Sequence, residues 1–148
     1  MTQGNEIQKK LLIQAPLHVV KETILNTEDY PSFIGPIRKS YVHEKGVGFS
    51  DVLFHVRIIT FPIQYRLETK IEDPLNISFI QTTGYFEEWK GRWILKDLGS
   101  DTLLEYHSTF KFPPFALPKL VQGCQESFFP DMIHFFKFEI EKRAKKAA

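Results

Sequence analysis

The sequence predicts an α+β fold in which a curved antiparallel β-sheet of about seven strands wraps around a long C-terminal α-helix, with two short helices after the first strand. Three observations predict this fold. Segments in which apolar and polar residues alternate follow one another through the middle of the chain, joined by short connections that contain Gly or Pro. The C-terminal segment carries two adjacent apolar stripes at helical spacing. The 148 residues include 14 Phe, which indicates a wide aromatic interior.

The N-terminal part of the chain is predicted to form one strand and two short helices. The strand covers residues 6–13, and a proline that suits the first turn of a helix precedes a helix over 17–25. A second, short helix over 26–33 ends at Gly35-Pro36. The two helices therefore separate the first strand from the rest of the sheet.

The middle of the chain is predicted to form six further strands. Gly99-Ser100-Asp101 is the clearest of their connections, because Gly tolerates positive φ and Asp bonds its own backbone. Since the links are short, successive strands are expected to be antiparallel neighbours in a meander. The predicted strands cover residues 37–45, 48–59, 63–72, 76–82, 89–98 and 102–112.

The C-terminal part of the chain is predicted to form a long helix after a stiff apolar connector. The connector covers Phe112 to Pro118, and the helix covers 119–143, with Pro130 expected to kink or split it. The helix must pack across the sheet, because neither can expose its apolar face. The first stripe of the helix consists of Leu120, Cys124, Phe128, Met132 and Phe135. The second consists of Phe129, Ile133, Phe136 and Ile140.

The connector over residues 112–118 is expected to form one rim of a cavity entrance and to contact a membrane transiently. Its three prolines fix φ, so its Phe and Leu side chains cannot easily turn inward together. An apolar group held at the surface is usually a docking feature. The alternative is that Phe115 and Leu117 tuck under the end of the sheet as a plug.

Composition and charge exclude several classes of protein. The net charge of +1 from balanced acids and bases argues against a DNA-binding protein. The single cysteine, Cys124, excludes an internal disulfide and fits a reducing compartment. No secretory signal is visible at the polar N-terminus, and no apolar run reaches the ~18 residues of a transmembrane helix. We therefore expect a cytoplasmic protein with peripheral membrane contact through residues 112–118.

Alternation of side chains along the strands predicts which residues face the helix. The charged residues of the central strands (Arg66, Glu68, Lys70, Arg92, Lys96 and Glu105) are expected on the solvent face. The inner face then carries hydroxyl groups but almost no ionisable ones. The candidate ligand-binding residues are Val52, Phe54, Val56, Tyr65, Leu67, Thr69, Trp93, Tyr106, Ser108, Phe110, Phe128, Met132 and Phe135.

No residue of the sequence is predicted to be catalytic or to bind a metal. General acid–base catalysis needs a titratable group beside the substrate, and tyrosine titrates only near ~10. The inner hydroxyls can orient a carbonyl or quinone oxygen, or each can bond the backbone instead. The histidines lack metal-ligand spacing, no Gly-rich phosphate loop is present, and we expect no cofactor. Asp51 with His55, or Glu105 with His107, is expected at most to form an exposed pair.

The order of elements and three motifs resemble the START-like helix-grip superfamily. Within it, the chain is similar to the polyketide cyclase/dehydrase branch, which includes coenzyme Q-binding proteins and a ribosome-associated toxin. The resemblance runs from residue 6 to 142 and implies one START-like domain over 1–148, with a deep cavity for lipids, quinones or polyketides. The chain departs from this branch at 112–118 and 128–130. The motifs are Gln14-Ala15-Pro16, Tyr30-Pro31-Ser32-Phe33 and Gly91-Arg92-Trp93-Ile94-Leu95.

The sequence favours a carrier that binds a hydrophobic ligand, such as a lipid, an isoprenoid quinone or a polyketide-like molecule, without chemistry of its own. Two alternatives remain open. One is an aromatase/cyclase-type enzyme, which a titratable residue inside the cavity would favour. The other is a ribosome- or protein-interaction module, implied by the resemblance alone, which a filled core without a cavity would favour.

Overall fold

A computed structural model describes residues 4–147 and contains a seven-stranded antiparallel sheet packed against a C-terminal helix. The strands are β1 Gly4–Ile13, β2 Ile37–Gly46, β3 Phe49–Ile58, β4 Phe61–Asp73, β5 Asn76–Gly84, β6 Glu88–Asp97 and β7 Thr102–Lys111. They lie in the order β1-β7-β6-β5-β4-β3-β2, so the last strand in the chain pairs with the first. The predicted α+β fold, a sheet gripping a long C-terminal helix, is confirmed.

The helices lie where the sequence predicts them, with one additional detail at Pro130. The first helix, α1, covers Leu17–Leu25, and a 3₁₀ helix covers Thr27–Ser32. The C-terminal helical segment consists of α2 (Pro118–Gly123), a π-helical turn (Cys124–Phe128) and α3 (Phe129–Ala147). Pro130 has no N–H to continue the α-helical pattern, and the wider turn lies directly before it. The expected interruption is therefore a change of helix type.

Aromatic side chains join α3 to the inner face of the sheet. The Phe129 ring stacks on Phe110 of β7 with centroids 3.8 Å apart. The Phe136 ring meets Trp93 of β6 at 4.8 Å and Tyr30 of the 3₁₀ helix at 5.1 Å, again between ring centroids. Full burial of each such ring contributes about 1.5–3 kcal/mol. These contacts fix α3 between the sheet and the 3₁₀ helix.

The charged side chains of the central strands lie on the outer face of the sheet, as predicted. Arg66 donates two hydrogen bonds to Asp51, at 2.6 and 2.7 Å, and this contact lowers the pKa of the Asp51 carboxyl. Asp51 is thereby covered although it lies on the outer face, and its partner is Arg66 and not His55. The Glu105–His107 pair does form, at 2.6 Å on a partly exposed surface, where such a pair contributes little to stability.

The connector after β7 keeps its apolar side chains at the surface. Phe115 is 78% exposed and Leu117 is 53% exposed, whereas Phe112 and Pro113 are buried. The alternative in which Phe115 and Leu117 form a plug under the sheet is therefore wrong. The buried positions beneath the sheet end are already occupied by Phe112 and Pro113. Among the described residues, none of the helices is long and apolar enough to cross a membrane.

Gly91, in the Gly-x-Trp motif of β6, permits a close approach that no other residue would allow. A Cβ at this position would lie 2.4 Å from the carbonyl oxygen of His107 and 2.4 Å from Cζ of Phe79. We predict that Gly91→Ala lowers the free energy of unfolding by about 1–3 kcal/mol, measured by chemical denaturation, because a backbone carbonyl cannot move aside. The matched control is Gly35→Ala, since nothing lies within 4 Å of a Cβ at Gly35. Equal losses in the two variants would contradict this explanation of the motif.

Candidate functional site

A cavity of about 30 Å³ lies between the sheet and α3. This volume is far below the ~300–1,000 Å³ of most ligand pockets. Aromatic side chains therefore occupy most of the space that the fold encloses. The cavity is lined by Tyr30, Ile37, Phe54, Tyr65, Leu67, Thr69, Phe79, Trp89, Trp93, Tyr106, Met132 and Phe136.

More than half of the predicted ligand-binding residues lie around this cavity. They come from four strands and α3, because every second residue of each strand points at the helix. Alternation is therefore the signal that located them. These residues are Phe54, Tyr65, Leu67, Thr69, Trp93, Tyr106 and Met132.

Four of the remaining predicted residues are buried or partly buried elsewhere. Val52 and Val56 flank Phe54 on the inner face of β3, but only the longer Phe54 ring reaches the cavity. Phe128 and Phe135 line a separate surface depression of about 100 Å³. These four residues therefore do not line the cavity, because sequence spacing gives a direction but no reach.

Ser108 and Phe110 of β7 are also on the inner face but do not line the cavity. Ser108 Oγ accepts a hydrogen bond from the Trp89 indole N–H at 2.9 Å. Phe110 is covered by its stack on Phe129. Both residues are engaged with protein partners, so they support the cavity wall from behind instead of facing the cavity.

The alternation and helix patterns point to some cavity residues that the sequence prediction missed. Trp89 shares the parity of Trp93 on β6, and Phe136 belongs to the second apolar stripe of the helix. Tyr30 offered no such signal, because it lies in a 3₁₀ helix and reaches the cavity through tertiary packing. The missed residues are Tyr30, Ile37, Phe79, Trp89 and Phe136.

The Tyr106 hydroxyl is a fully buried polar group in the cavity wall that lacks a hydrogen-bond partner. It is buried, and no hydrogen bond joins it to any residue in the range 4–147. Burial raises the pKa of Tyr106 well above its usual range, and the nearby Ser108 hydroxyl lowers it by a smaller amount. The phenol is therefore neutral at physiological pH and keeps hydrogen-bonding capacity inside an apolar wall.

Tyr30 and Tyr65, the other two tyrosines of the wall, differ from Tyr106 in their contacts. The Tyr30 hydroxyl donates to the Ile24 carbonyl oxygen. Tyr65 makes an edge contact with Trp89, with centroids 4.7 Å apart. Burial raises the pKa of both phenols well above the usual range of tyrosine. All three tyrosines are therefore neutral at physiological pH.

The cavity wall is electrostatically neutral. Among residues 4–147, no Asp, Glu, His, Lys or Arg lines it. Burial also raises the pKa of the Cys124 thiol to about 12, so this core cysteine stays protonated and is a poor nucleophile. Over residues 4–147, no group of three or more His, Cys, Asp or Glu side chains is arranged to hold a metal ion. The site can therefore bind apolar surface and hydrogen-bond to a neutral oxygen, but it offers no ionised acid or base.

Two surface depressions lie at opposite ends of β3. One, of about 430 Å³, shares Thr69 with the cavity, and Ser50 in its wall accepts a 2.9 Å hydrogen bond from Thr27. The other is the depression of about 100 Å³ that Phe128 and Phe135 line. The first meets the cavity wall at Thr69, and the second lies one helical turn from Met132 of the wall, so we consider both as candidate entrances.

Comparison with protein families identifies the chain. The family model described as polyketide cyclase/dehydrase and lipid transport matches residues 13–137, which include most of the sheet, the cavity wall and most of α3. The chain belongs to this family. Among curated proteins, a sequence search finds no significant match.

Solved structures share the fold of this polyketide cyclase/dehydrase family member. The ZhuI aromatase/cyclase from Streptomyces sp. R1128 is 18% identical, with a TM-score of 0.82 over 95% of this chain and 96% of that chain. A protein from Thermus thermophilus is 14% identical, with a TM-score of 0.80 over 97% and 99% of the two chains. A START superfamily protein from Mycobacterium smegmatis is 15% identical, with a TM-score of 0.74 over 97% and 99%. The START-like helix-grip fold is thus confirmed.

The two differently bonded tyrosines of the wall provide a matched pair of stability tests. Tyr106→Phe removes an unpaired buried hydroxyl and is expected to raise the free energy of unfolding by about 1 kcal/mol. Tyr30→Phe leaves the Ile24 carbonyl without its partner and is expected to lower the free energy of unfolding by about 1–3 kcal/mol. Urea denaturation of both variants measures the difference. A loss of stability in Tyr106→Phe equal to that in Tyr30→Phe would mean that the Tyr106 hydroxyl is bonded in solution.

Proposed function

We propose that this family member binds a hydrophobic small molecule between the sheet and α3 and carries it without catalysing a reaction. The single observation that carries this proposal is the unpartnered Tyr106 hydroxyl inside an aromatic, uncharged wall. An unpaired buried hydroxyl costs about 1–3 kcal/mol, which a ligand oxygen would offset. The ligand class is therefore an apolar molecule with a neutral carbonyl or hydroxyl oxygen, such as an isoprenoid quinone, a lipid or a polyketide-like molecule.

Ligand entry requires the interior to expand beyond its present 30 Å³. Met132 is the most adaptable residue of the wall, because its unbranched thioether side chain has three rotatable bonds. Several of the surrounding rings meet edge to face, as at Tyr65–Trp89 and Phe136–Trp93. Such contacts can be exchanged for contacts with a planar ligand. Binding would then select an expanded minor state, and the population of that state would limit the apparent affinity.

An aromatase/cyclase-type enzyme is a second candidate, favoured by the TM-score of 0.82 with the Streptomyces aromatase/cyclase. The neutral wall is an argument against this function, because proton transfer at neutral pH needs a group with a pKa near 7. The pKa values of the wall tyrosines Tyr30, Tyr65 and Tyr106 are moved in the opposite direction, upward. Catalysis would require a residue outside the wall to reach the ligand.

A ribosome- or protein-interaction module is a third candidate, favoured by the small volume of the cavity. In that case the aromatic wall is a filled core, and the outer sheet face and the basic C-terminal residues would make the contacts. A filled core and a collapsed pocket differ in one property. The pocket has room for a ligand once its side chains rearrange, and the filled core does not.

Extraction of the purified chain with organic solvent, followed by mass spectrometry, is the direct test for a bound ligand. A soluble naphthoquinone provides a second test, because Trp89 and Trp93 both line the cavity and their fluorescence is expected to be quenched. A lack of both an extracted ligand and quenching would contradict the binding function. Conversion of a poly-β-ketone thioester by the protein would establish the cyclase function instead.

Tyrosine variants test the polar contact with the probe. Tyr106→Phe and Tyr65→Phe are each expected to weaken naphthoquinone binding by about 0.5–1.5 kcal/mol, the net value of one neutral hydrogen bond. Tyr41→Phe is the matched control, since Tyr41 is 45% exposed on the edge strand β2. Fluorescence titration gives the three dissociation constants. Unchanged affinity in both cavity variants would exclude these hydroxyls from recognition.

A further inference from the structure

Three exposed apolar side chains lie next to α2, two in the connector before it and one against its last residue. Ile59, at the tip of the β3–β4 hairpin, is 61% exposed, Phe115 is 78% exposed and Leu117 is 53% exposed. The hairpin tip rests on α2, because a Cβ added at Gly123 would lie 2.9 Å from Cδ1 of Ile59. Leu117 directly precedes α2. We call these three residues the α2 patch.

Ile59 is held at the surface in a strained backbone conformation. Its φ of 59° lies in the left-handed region, which is unfavourable for a β-branched residue. It occupies the first central position of a two-residue hairpin loop, where positive φ normally selects Gly. The position therefore combines an unfavourable backbone with an exposed apolar side chain, and strain of this kind commonly accompanies binding sites.

Two basic residues without an ion-pair partner among residues 4–147 lie close to the α2 patch in the sequence. Arg57 lies two residues before Ile59, and Lys119 lies two residues after Leu117. Both side chains are exposed, and within residues 4–147 neither takes part in an ion pair. Apolar side chains beside free cations suit the interface of an anionic bilayer, where the apolar groups enter the acyl boundary and the cations meet the headgroups.

The α2 patch adjoins the smaller candidate entrance to the interior. Ile59 lines the depression of about 100 Å³ together with Phe128 and Phe135. Met132 lies one helical turn from each of these two phenylalanines and lines the cavity. Movement of the flexible Met132 side chain would therefore join the depression to the cavity.

We propose that the α2 patch inserts into the surface of an anionic lipid bilayer and that ligand passes between bilayer and interior beside Met132. The passage rests on the proposed carrier function, whereas the insertion does not. A stable protein partner needs about 800 Å² of complementary surface on each side. Three side chains on a hairpin tip and a connector do not form such a surface, but a fluid bilayer needs no matching shape.

Sedimentation with vesicles of equimolar phosphatidylcholine and phosphatidylglycerol tests the insertion. The wild-type chain is expected to sediment with the vesicles, and the Phe115→Ser/Leu117→Ser variant to lose at least about tenfold in partitioning. Ile59→Gly should lower vesicle partitioning several-fold without lowering the melting temperature, because Gly accepts the positive φ at this position. Phe138→Ser is the matched control, since Phe138 is 76% exposed on α3 outside the α2 patch.

The charge contribution is tested with Arg57→Gln/Lys119→Gln, which should weaken sedimentation with these vesicles but not with phosphatidylcholine alone. Absence of wild-type sedimentation, or an equal loss in Phe138→Ser, would overturn the proposal. So would a dimer that the patch variants dissociate, because a second copy would then cover the patch.

Naphthoquinone binding without vesicles separates the two proposals. Sedimentation without either naphthoquinone binding or an extracted ligand would refute the carrier alone, and naphthoquinone binding without sedimentation would refute the insertion alone.

Discussion

The packing of α3 on the inner face of the sheet is the interaction on which the rest of the structure depends. Its centre is the stack of Phe129 on Phe110, with ring centroids 3.8 Å apart. The π turn before Pro130 allows α2 and α3 to continue one another while both bury their apolar sides. Because this contact is made by large rings, the distance between helix and sheet is set by aromatic thickness, and the enclosed volume follows from how well the remaining rings fill it.

The same aromatic packing explains why the interior is both well filled and adaptable. Most of its ring pairs are edge-to-face contacts, such as Phe136 on Trp93 and Tyr65 on Trp89, each worth about 0.5–1.5 kcal/mol beyond area burial. A planar ligand can replace such contacts one for one. The difference between a filled core and a collapsed pocket then depends on a free-energy difference of a few kcal/mol between two packings of the same side chains.

Polar groups in this interior have different consequences according to their partners. Trp89 and Ser108 satisfy one another, and Tyr30 is satisfied by the Ile24 carbonyl, so these groups hold the wall in place. Tyr106 has no such partner among the described residues and is the group that would recognise a ligand oxygen. The site therefore derives its chemical character from one unsatisfied hydroxyl in an apolar wall, which favours binding over proton transfer.

The sequence by itself determined the order of elements, the face of each central strand and the absence of charge from the interior. These properties follow from alternation and helical spacing, which are local. Only the tertiary structure decided the reach of each side chain. Val52 and Phe54 share a face, but only Phe54 meets the cavity. Tyr30 enters the wall from a 3₁₀ helix outside the sheet, and Arg66 covers Asp51 from the neighbouring strand. Whether rings from distant segments meet or leave a space depends on their combined rotamers, which no local pattern encodes.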